Sequence, residues 1–305
     1  INMSEVHPYI ETLKKIGINK IQIIQDGQEI GCFMKKEYKR QNQYSITKSF
    51  TSAAVGFAIE EGLFELNSKV CQLFDEAIKI EDPYWNMMEI RHLLTMTMGL
   101  ETPILMGNSR KTLKESDWVS YVFRQKVTEK PGTVFQYNNA GPYLLGVLIQ
   151  RKTEKNLIEY LTPRLFDKLE IKPLEAEFCP KGYVFGAGGL QMNVRELGKF
   201  GQLYLQRGKW KGEQILSEQW IEESTKKQVE CGDYNNSQVD GYGYLFWHLK
   251  GDAYMANGKY GQYCIVLSDQ NSVISVNSPE TEQSDRVGRY IMKKLKEGRR
   301  NNGKE

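Results

Sequence analysis

The sequence is poor in the residues that usually announce a cofactor or a covalent scaffold. Its three histidines, His7, His92 and His248, stand far apart without His-x-x-x-His spacing, so no metal centre is called for. Five cysteines, at 32, 71, 179, 231 and 264, are odd in number and include no Cys-x-x-Cys pair. That excludes a disulfide framework or a zinc site as the reading and leaves buried free thiols. No cofactor is implied. Apolar runs of about 18 residues, the length a membrane-spanning helix needs, are missing. So is a charged start followed by an apolar stretch, the mark of a signal peptide, which points to a cytoplasmic location. The chain begins at Ile1 rather than Met, so a removed leader, and with it a periplasmic or extracellular location, stays open. Charge of one sign is scarce: 41 Lys plus Arg against 38 Asp plus Glu leave +3, spread along the chain. Nucleic acid is therefore not an expected partner. The one marked basic run, 293–300, continues into a polar terminus and reads as a fraying helix. There is no Gly-x-Ser-x-Gly elbow, which disfavours a Ser-His-Asp hydrolase, and His92 in its apolar helical context reads as structural. Internal repeats and low-complexity segments are also absent.

What is present is enough apolar residue, 40% of 305, for one large domain or two intermeshed ones. Ile10, Leu13 and Ile16 mark a first helix. Residues 21–33 read as a β-hairpin turning at Asp26-Gly27, a dipeptide suited to the left-handed turn that matches strand twist. Two strands alone are marginal in water, so the hairpin needs a larger sheet. Its partners are expected at the other end of the chain, where 242–249, 262–267 and 272–276 read as strands and Val287, Tyr290, Ile291 and Leu295 mark a closing helix. Between them, 90–97, 118–127, 141–151 and 157–169 read as helices. The fold class is α/β (α+β): a discontinuous sheet domain from 1–65 and 189–305 with a mainly helical lobe, 66–188, inserted. A cleft between two such lobes is a usual small-molecule site.

The chemistry begins at Ser45-Ile46-Thr47-Lys48, which opens the most apolar helical stretch, 49–59. A serine hydroxyl is a poor nucleophile until a base takes its proton, and a lysine three residues on lies on the same helix face. Lys48 serves as that base only when neutral; burial and the positive end of the helix both push it that way. A bland alternative is an N-cap serine with an exposed lysine. Ser224-Thr225-Lys226-Lys227 has the same spacing but ends a charged helix, and Ser224 reads as a surface residue. Downstream, Tyr137-Asn138-Asn139 precedes an apolar helix. A tyrosine against Lys48 can shuttle a proton, and Asn139 can bind a substrate amide or fix Lys48. The similar Tyr234-Asn235-Asn236 sits in a polar run and reads as a turn. Third, Ala256-Asn257-Gly258-Lys259-Tyr260-Gly261-Gln262 leads into the strand 263–267. Its glycines permit close backbone approach, so an N-H here can pair with that of Ser45 as an oxyanion donor.

In this order and spacing the three segments resemble the serine β-lactamase and penicillin-binding-protein superfamily, closest to its class C and esterase-like branch. Further matching blocks are 60–66, 90–100, 188–193 with 197–205, and 210–220, so the resemblance covers most of the chain. It implies an antiparallel sheet flanked by helices plus an all-helical lobe. It implies Ser45 as the acylated nucleophile, Lys48 and Tyr137 as the proton-transfer pair and Asn139 as a positioning residue. The backbone N-H groups of Ser45 and Lys259, with Gly258 between strand and turn, would form the oxyanion hole. One departure matters. Where penicillin-processing members carry Lys-Thr-Gly, or His in place of Lys, this chain has Ala256-Asn257-Gly258, without the cation that helps hold a substrate carboxylate. Lys259 lies nearby, yet three positions along a strand it would point to the opposite face. Small esters or amides are therefore expected as substrates ahead of β-lactams or D-alanyl peptides. A silent ligand-binding module on the same scaffold is the alternative, although it needs none of Ser45, Lys48 and Tyr137.

Overall fold

The computed structural model describes residues 2–35, 39–234 and 238–303. Seven strands form one antiparallel sheet: β1 (Lys20–Gln25), β2 (Gln28–Met34), β3 (Val239–Tyr242), β4 (Trp247–Leu249), β5 (Ala253–Gly258), β6 (Gln262–Leu267) and β7 (Ser272–Asn277), in the spatial order β2-β1-β7-β6-β5-β4-β3. The hairpin at Asp26-Gly27 is as expected, with Asp26 at φ 52 and Gly27 at φ 77. It joins the C-terminal strands through β1 and β7, which pair from Lys20 with Asn277 to Gln25 with Ser272.

The longer helices are α1 (Met3–Ile16), α2 (Thr47–Glu60), α3 (Ala140–Thr153), α4 (Val194–Leu205), α5 (Glu218–Thr225) and α6 (Asp285–Asn301). Both faces of the sheet are covered, as alternation along β6 demonstrates. Tyr263 abuts Gly288 of α6, whereas the next residue, Cys264, meets Gly201 of α4. On the first face α1 buries Tyr9, Ile10 and Leu13, spaced for one helical side, and Tyr9 meets Tyr290 of α6 at 5.6 Å. On the other face α4 starts with a capping box: Asn193 accepts from the Glu196 N-H at 2.9 Å and Glu196 from the Asn193 N-H at 3.0 Å. Behind α4 lies α2, buried from Thr47 to Ala58 on all sides, with Phe50 stacked on Phe200 at 4.0 Å. A helix without an exposed face belongs at the centre of a molecule, and α2 carries the Ser-x-x-Lys segment there. Among the described residues, no helix is long and apolar enough to cross a membrane.

Several sequence expectations need correction. Residues 242–249 are not one strand but the end of β3, a turn with Leu245 at φ 65, and β4. That turn presses on α5: a side chain at Gly243 would overlap the Ser224 carbonyl oxygen. Ser224 is consequently buried rather than a surface residue, and its hydroxyl donates to the Ile221 carbonyl at 3.2 Å. Residues 253–258 form a strand of their own, β5, so the third segment is a hairpin and not merely a lead-in to β6. The stretch 157–169 is a short α-helix, Leu157–Leu161, that widens into a π-turn, Thr162–Phe166, where Pro163 lacks the N-H of a regular α-turn. Of the five thiols, four are buried but Cys32, on the outer strand β2, is exposed.

Candidate active site

Ser45 owes its position to a guided approach. Gln41–Asn42 pairs with Gln191–Met192 as a two-residue ladder. Arg40, just before, grips Glu196 of α4 through two hydrogen bonds of 2.6 and 3.0 Å. Asn42 then accepts from the Tyr44 N-H at 2.7 Å, and Tyr44 sits at φ 51, in the left-handed region. For a bulky residue that conformation costs on the order of 1 kcal/mol or more, and strain of this kind collects at functional sites. A single 3-10 turn, Tyr44–Ile46, carries Ser45 into α2.

The sequence spacing does what it promised. Lys48 Nζ lies 2.8 Å from Ser45 Oγ and donates also to the Ala187 carbonyl at 2.8 Å. The segment bearing Ala187 is laced to α2: Thr51 Oγ1 donates to the Gly186 carbonyl at 2.7 Å, and the Leu190 N-H to Thr47 Oγ1 at 3.0 Å. Gly186 itself has no room for a side chain, which would crowd the Pro142 carbonyl at 2.8 Å. Lys48 is 1% exposed. Burial holds its ammonium form well below the usual lysine range, and the charge of Arg110 adds to the depression. A neutral amine in hydrogen-bond reach of a half-buried hydroxyl can accept its proton.

Tyr137 closes the other side. Its ring lies 4.8 Å from Lys48 Nζ and stacks on Trp247 at 5.6 Å with planes 16° apart. Burial pushes the phenol up, opposed by its hydrogen bond with the Ser45 side chain, so the hydroxyl is held protonated beside Ser45. Asn139 precedes α3 without capping it by its side chain, which donates to the Leu105 carbonyl at 2.8 Å, while its buried Oδ1 has no partner among the described residues. Among the described residues Lys48 Nζ has its hydrogen bonds to Ser45 Oγ and the Ala187 carbonyl, and none to Asn139. Asn138 ties the neighbouring loop down, accepting from the N-H groups of Ile104 at 3.2 Å and Ala140 at 3.0 Å.

The third segment meets the first through Gly258. A side chain there would overlap the Gln43 carbonyl oxygen, so only glycine lets the end of β5 lie against the residues before Ser45. Lys259 is in the following turn, not on a strand, and its exposed ammonium lies 4.9 Å from the Tyr260 ring centroid. Tyr260 is again left-handed, at φ 68, and meets Tyr44 edge-on at 5.3 Å. Thus two strained tyrosines face each other, one just before Ser45 and one just after Lys259.

Sequence reasoning missed Arg110. From the short helix Gly107–Lys111 its guanidinium stacks 4.3 Å over Phe185 and pairs with Glu177, close enough to Lys48 to act on its charge. No motif spacing marks it, because a loop brings it in. Tyr234 was set aside as part of a turn, but its ring packs 4.6 Å from Trp247 and 6.0 Å from Phe135, beside Tyr137. Asn235 and Asn236 lie outside the described residues, as does part of the loop 230–240. His92 is structural, as expected: its Nδ1 accepts from the Glu89 N-H at 3.0 Å, and burial lowers its pKa.

The family model described as Beta-lactamase matches residues 39–296. Protein flp of Staphylococcus aureus (strain MW2) is 27% identical over 138 residues, which are 42% of this chain and 26% of that protein. The chain thus aligns with only about a quarter of that curated relative's length. Among solved structures, the octameric penicillin-binding protein homologue from Pyrococcus abyssi superposes with a TM-score of 0.73 at 21% identity, covering 93% of this chain and 75% of that one. The D-amino acid amidase from Ochrobactrum anthropi SV3 gives a TM-score of 0.76 at 15% identity, covering 98% and 99%. At these identities the likeness is one of fold.

Proposed function

The chain belongs to the β-lactamase family, and on that ground we propose that it is a serine hydrolase acting on small carboxylic esters or amides through an acyl-enzyme on Ser45. The observation that carries the reading is the 2.8 Å contact between Ser45 Oγ and a fully buried Lys48 whose neutral form is favoured. In this mechanism Lys48 takes the Ser45 proton as Oγ attacks the substrate carbonyl. The N-H groups of Ser45 and Lys259 receive the developing oxyanion. The proton passes by way of the Tyr137 hydroxyl to the departing alcohol or amine, and a water then releases the acid from Ser45. Asn139, whose Oδ1 has no partner among the described residues, is the group for a substrate N-H. The cleft would lie between a sheet lobe of 1–65 and 189–305 and a helical lobe of 66–188. The lack of a cation at 256–258 weighs against β-lactams and D-alanyl peptides, which present a carboxylate there.

The test is intact mass after exposure to a fluorophosphonate probe, with Ser45→Ala alongside. One adduct, lost in the variant, is expected, and turnover of ester or amide panels should fall about a thousandfold or more with it. An unlabelled but folded wild-type protein would move the reading to a silent binding module. Faster turnover of a cephalosporin than of any simple ester or amide would make it a β-lactamase.

A further inference from the structure

Beneath the meeting point of the first and third segments lies a cluster of side-chain amides without any exposure: Gln43, Gln262 and Asn277. Asn277 Nδ2, at the end of β7, donates to Gln43 Oε1 at 2.8 Å and to Gln262 Oε1 at 3.1 Å. Gln43 Nε2 returns a bond to Asn277 Oδ1 at 3.2 Å and also holds the Met192 carbonyl at 2.6 Å. Gln262 Nε2 donates to the carbonyls of Tyr260 at 3.1 Å and Ser278 at 3.0 Å, and its Oε1 accepts from the Ser278 N-H at 3.0 Å. Three buried amides are an expensive way to fill a core, because each polar atom must find a partner. These do, and the cluster adjoins two particular places. Gln43 lies two residues before Ser45, and its own carbonyl accepts from the Ile46 N-H at 3.2 Å, closing the turn that carries Ser45. Gln262 holds the carbonyl of Tyr260, the left-handed residue just after Lys259. One cluster therefore ties Gln43, whose backbone closes the turn carrying Ser45, to Gln262, whose side chain holds the carbonyl of Tyr260.

We propose that the Gln43–Asn277–Gln262 cluster is a positioning device that sets the spacing between the Ser45 and Lys259 backbone N-H groups, and so the fit of the oxyanion site. This rests on the hydrolase reading above. Loosening the cluster should weaken what is bound only at the tetrahedral stage and leave ground-state substrate binding alone. It should not disturb proton transfer, since among the described residues none of its side-chain hydrogen bonds goes to Lys48 or Tyr137.

The experiment compares wild type with Gln262→Met and Asn277→Leu, both close in size, using an ester that the wild type turns over and an arylboronic acid as tetrahedral mimic. Thermal midpoints confirm folding. Expected for each variant is a fall in kcat of roughly 10- to 100-fold with KM within about twofold, weaker boronate inhibition in proportion, and an unchanged pH dependence of kcat. Gln262→Asn, which keeps the amide, should recover part of the loss. Variants that fold with kcat and boronate affinity intact overturn the inference and leave the hydrolase standing. A variant that fails to fold is replaced by Gln262→Asn at the same readouts, where equal losses in kcat and boronate affinity support the inference and unchanged values end it. A wild type that neither turns over any ester nor takes up the phosphonate brings down the hydrolase reading itself, and the inference with it.

Discussion

A lysine buried at 1% exposure, with no carboxylate paired to it among the described residues, carries a cost in the folded protein that depends on pH. Its folded pKa lies below the ordinary value of 10.5, so between the two the unfolded chain binds more protons than the folded one. Stability arising from this group therefore rises with pH up to about 10.5 and is lowest below the depressed folded value. Denaturant unfolding of wild type and Lys48→Met across pH should show the wild type gaining on the variant as pH increases; a difference independent of pH would mean Lys48 is charged in the fold. Activity should follow the same proton. The rate is expected to climb as pH rises through the pKa of the Lys48 and Tyr137 pair, a property of the pair rather than of either residue. In Tyr137→Phe, which leaves the amine in place, activity should fall roughly 10²-fold. An unaltered rate in that variant would remove the phenol from proton transfer.

At the scale of elements, the join between β5 and the turn before α2 is the most demanding contact in the site. Gly258 is not in a left-handed conformation, so what excludes a side chain there is space, taken by the Gln43 carbonyl. Gly258→Ala must push β5 and the Ser45 turn apart. The expected result is a loss of about 1–3 kcal/mol in stability and at least a tenfold drop in kcat, read by thermal unfolding and steady-state kinetics on one preparation. An alanine variant with full activity would show that the two segments need not touch. This join also marks how far sequence reading reaches. Ser45 and Lys48 were legible because a spacing of three across one helical turn is a contact by geometry, even though that turn is 3-10 before it becomes α2, and Tyr137 because it adjoins an apolar helix start in the expected order. The strand 253–258 was not legible, since Ala253-Tyr254-Met255-Ala256-Asn257-Gly258 has neither clear alternation nor β-branched residues; neighbours on both sides impose its conformation. Ser224 was misread for the same kind of reason: the turn that covers it is about twenty residues away in sequence. Arg110 could not be found at all, because stacking on Phe185 depends on how a loop folds back.

For the whole molecule, the terminal elements are not appendages. α1 and α6 cover one face of the sheet, with Leu13, Val287 and Ile291 essentially without exposure. A chain ending at Ser284 would leave that face of β6 and β7 open to water. Such a truncation is expected to lose the cooperative thermal transition altogether rather than merely lower its midpoint, as circular dichroism and calorimetry can check. A sharp transition in the shortened chain would show that the sheet holds without its outer helices. The architecture of an antiparallel sheet built from both ends was readable in advance, because the hairpin at 21–33 could not stand alone and the only other strand-like runs lay beyond residue 240. The proportions were not: many helices of the middle region proved to be one or two turns long, held by caps and loop bonds that leave no periodic trace.

The pairing of β1 with β7 joins Lys20 to Asn277, so the hairpin waits for a partner that follows it at long sequence separation. At about 5–20 residues per second, a ribosome takes between roughly 10 and 50 seconds to cover that interval. During it the inner edge of β1, with Ile21 and Ile23, has no neighbouring strand. The nascent chain is then exposed to premature association and has reason to engage a chaperone. Because Asn277 is also the hub of the buried amides, that cluster cannot close until residue 277 has been made and β7 has docked beside β1, so the bonds that tie Gln43 to Gln262 form only with the long-range pairing of the sheet.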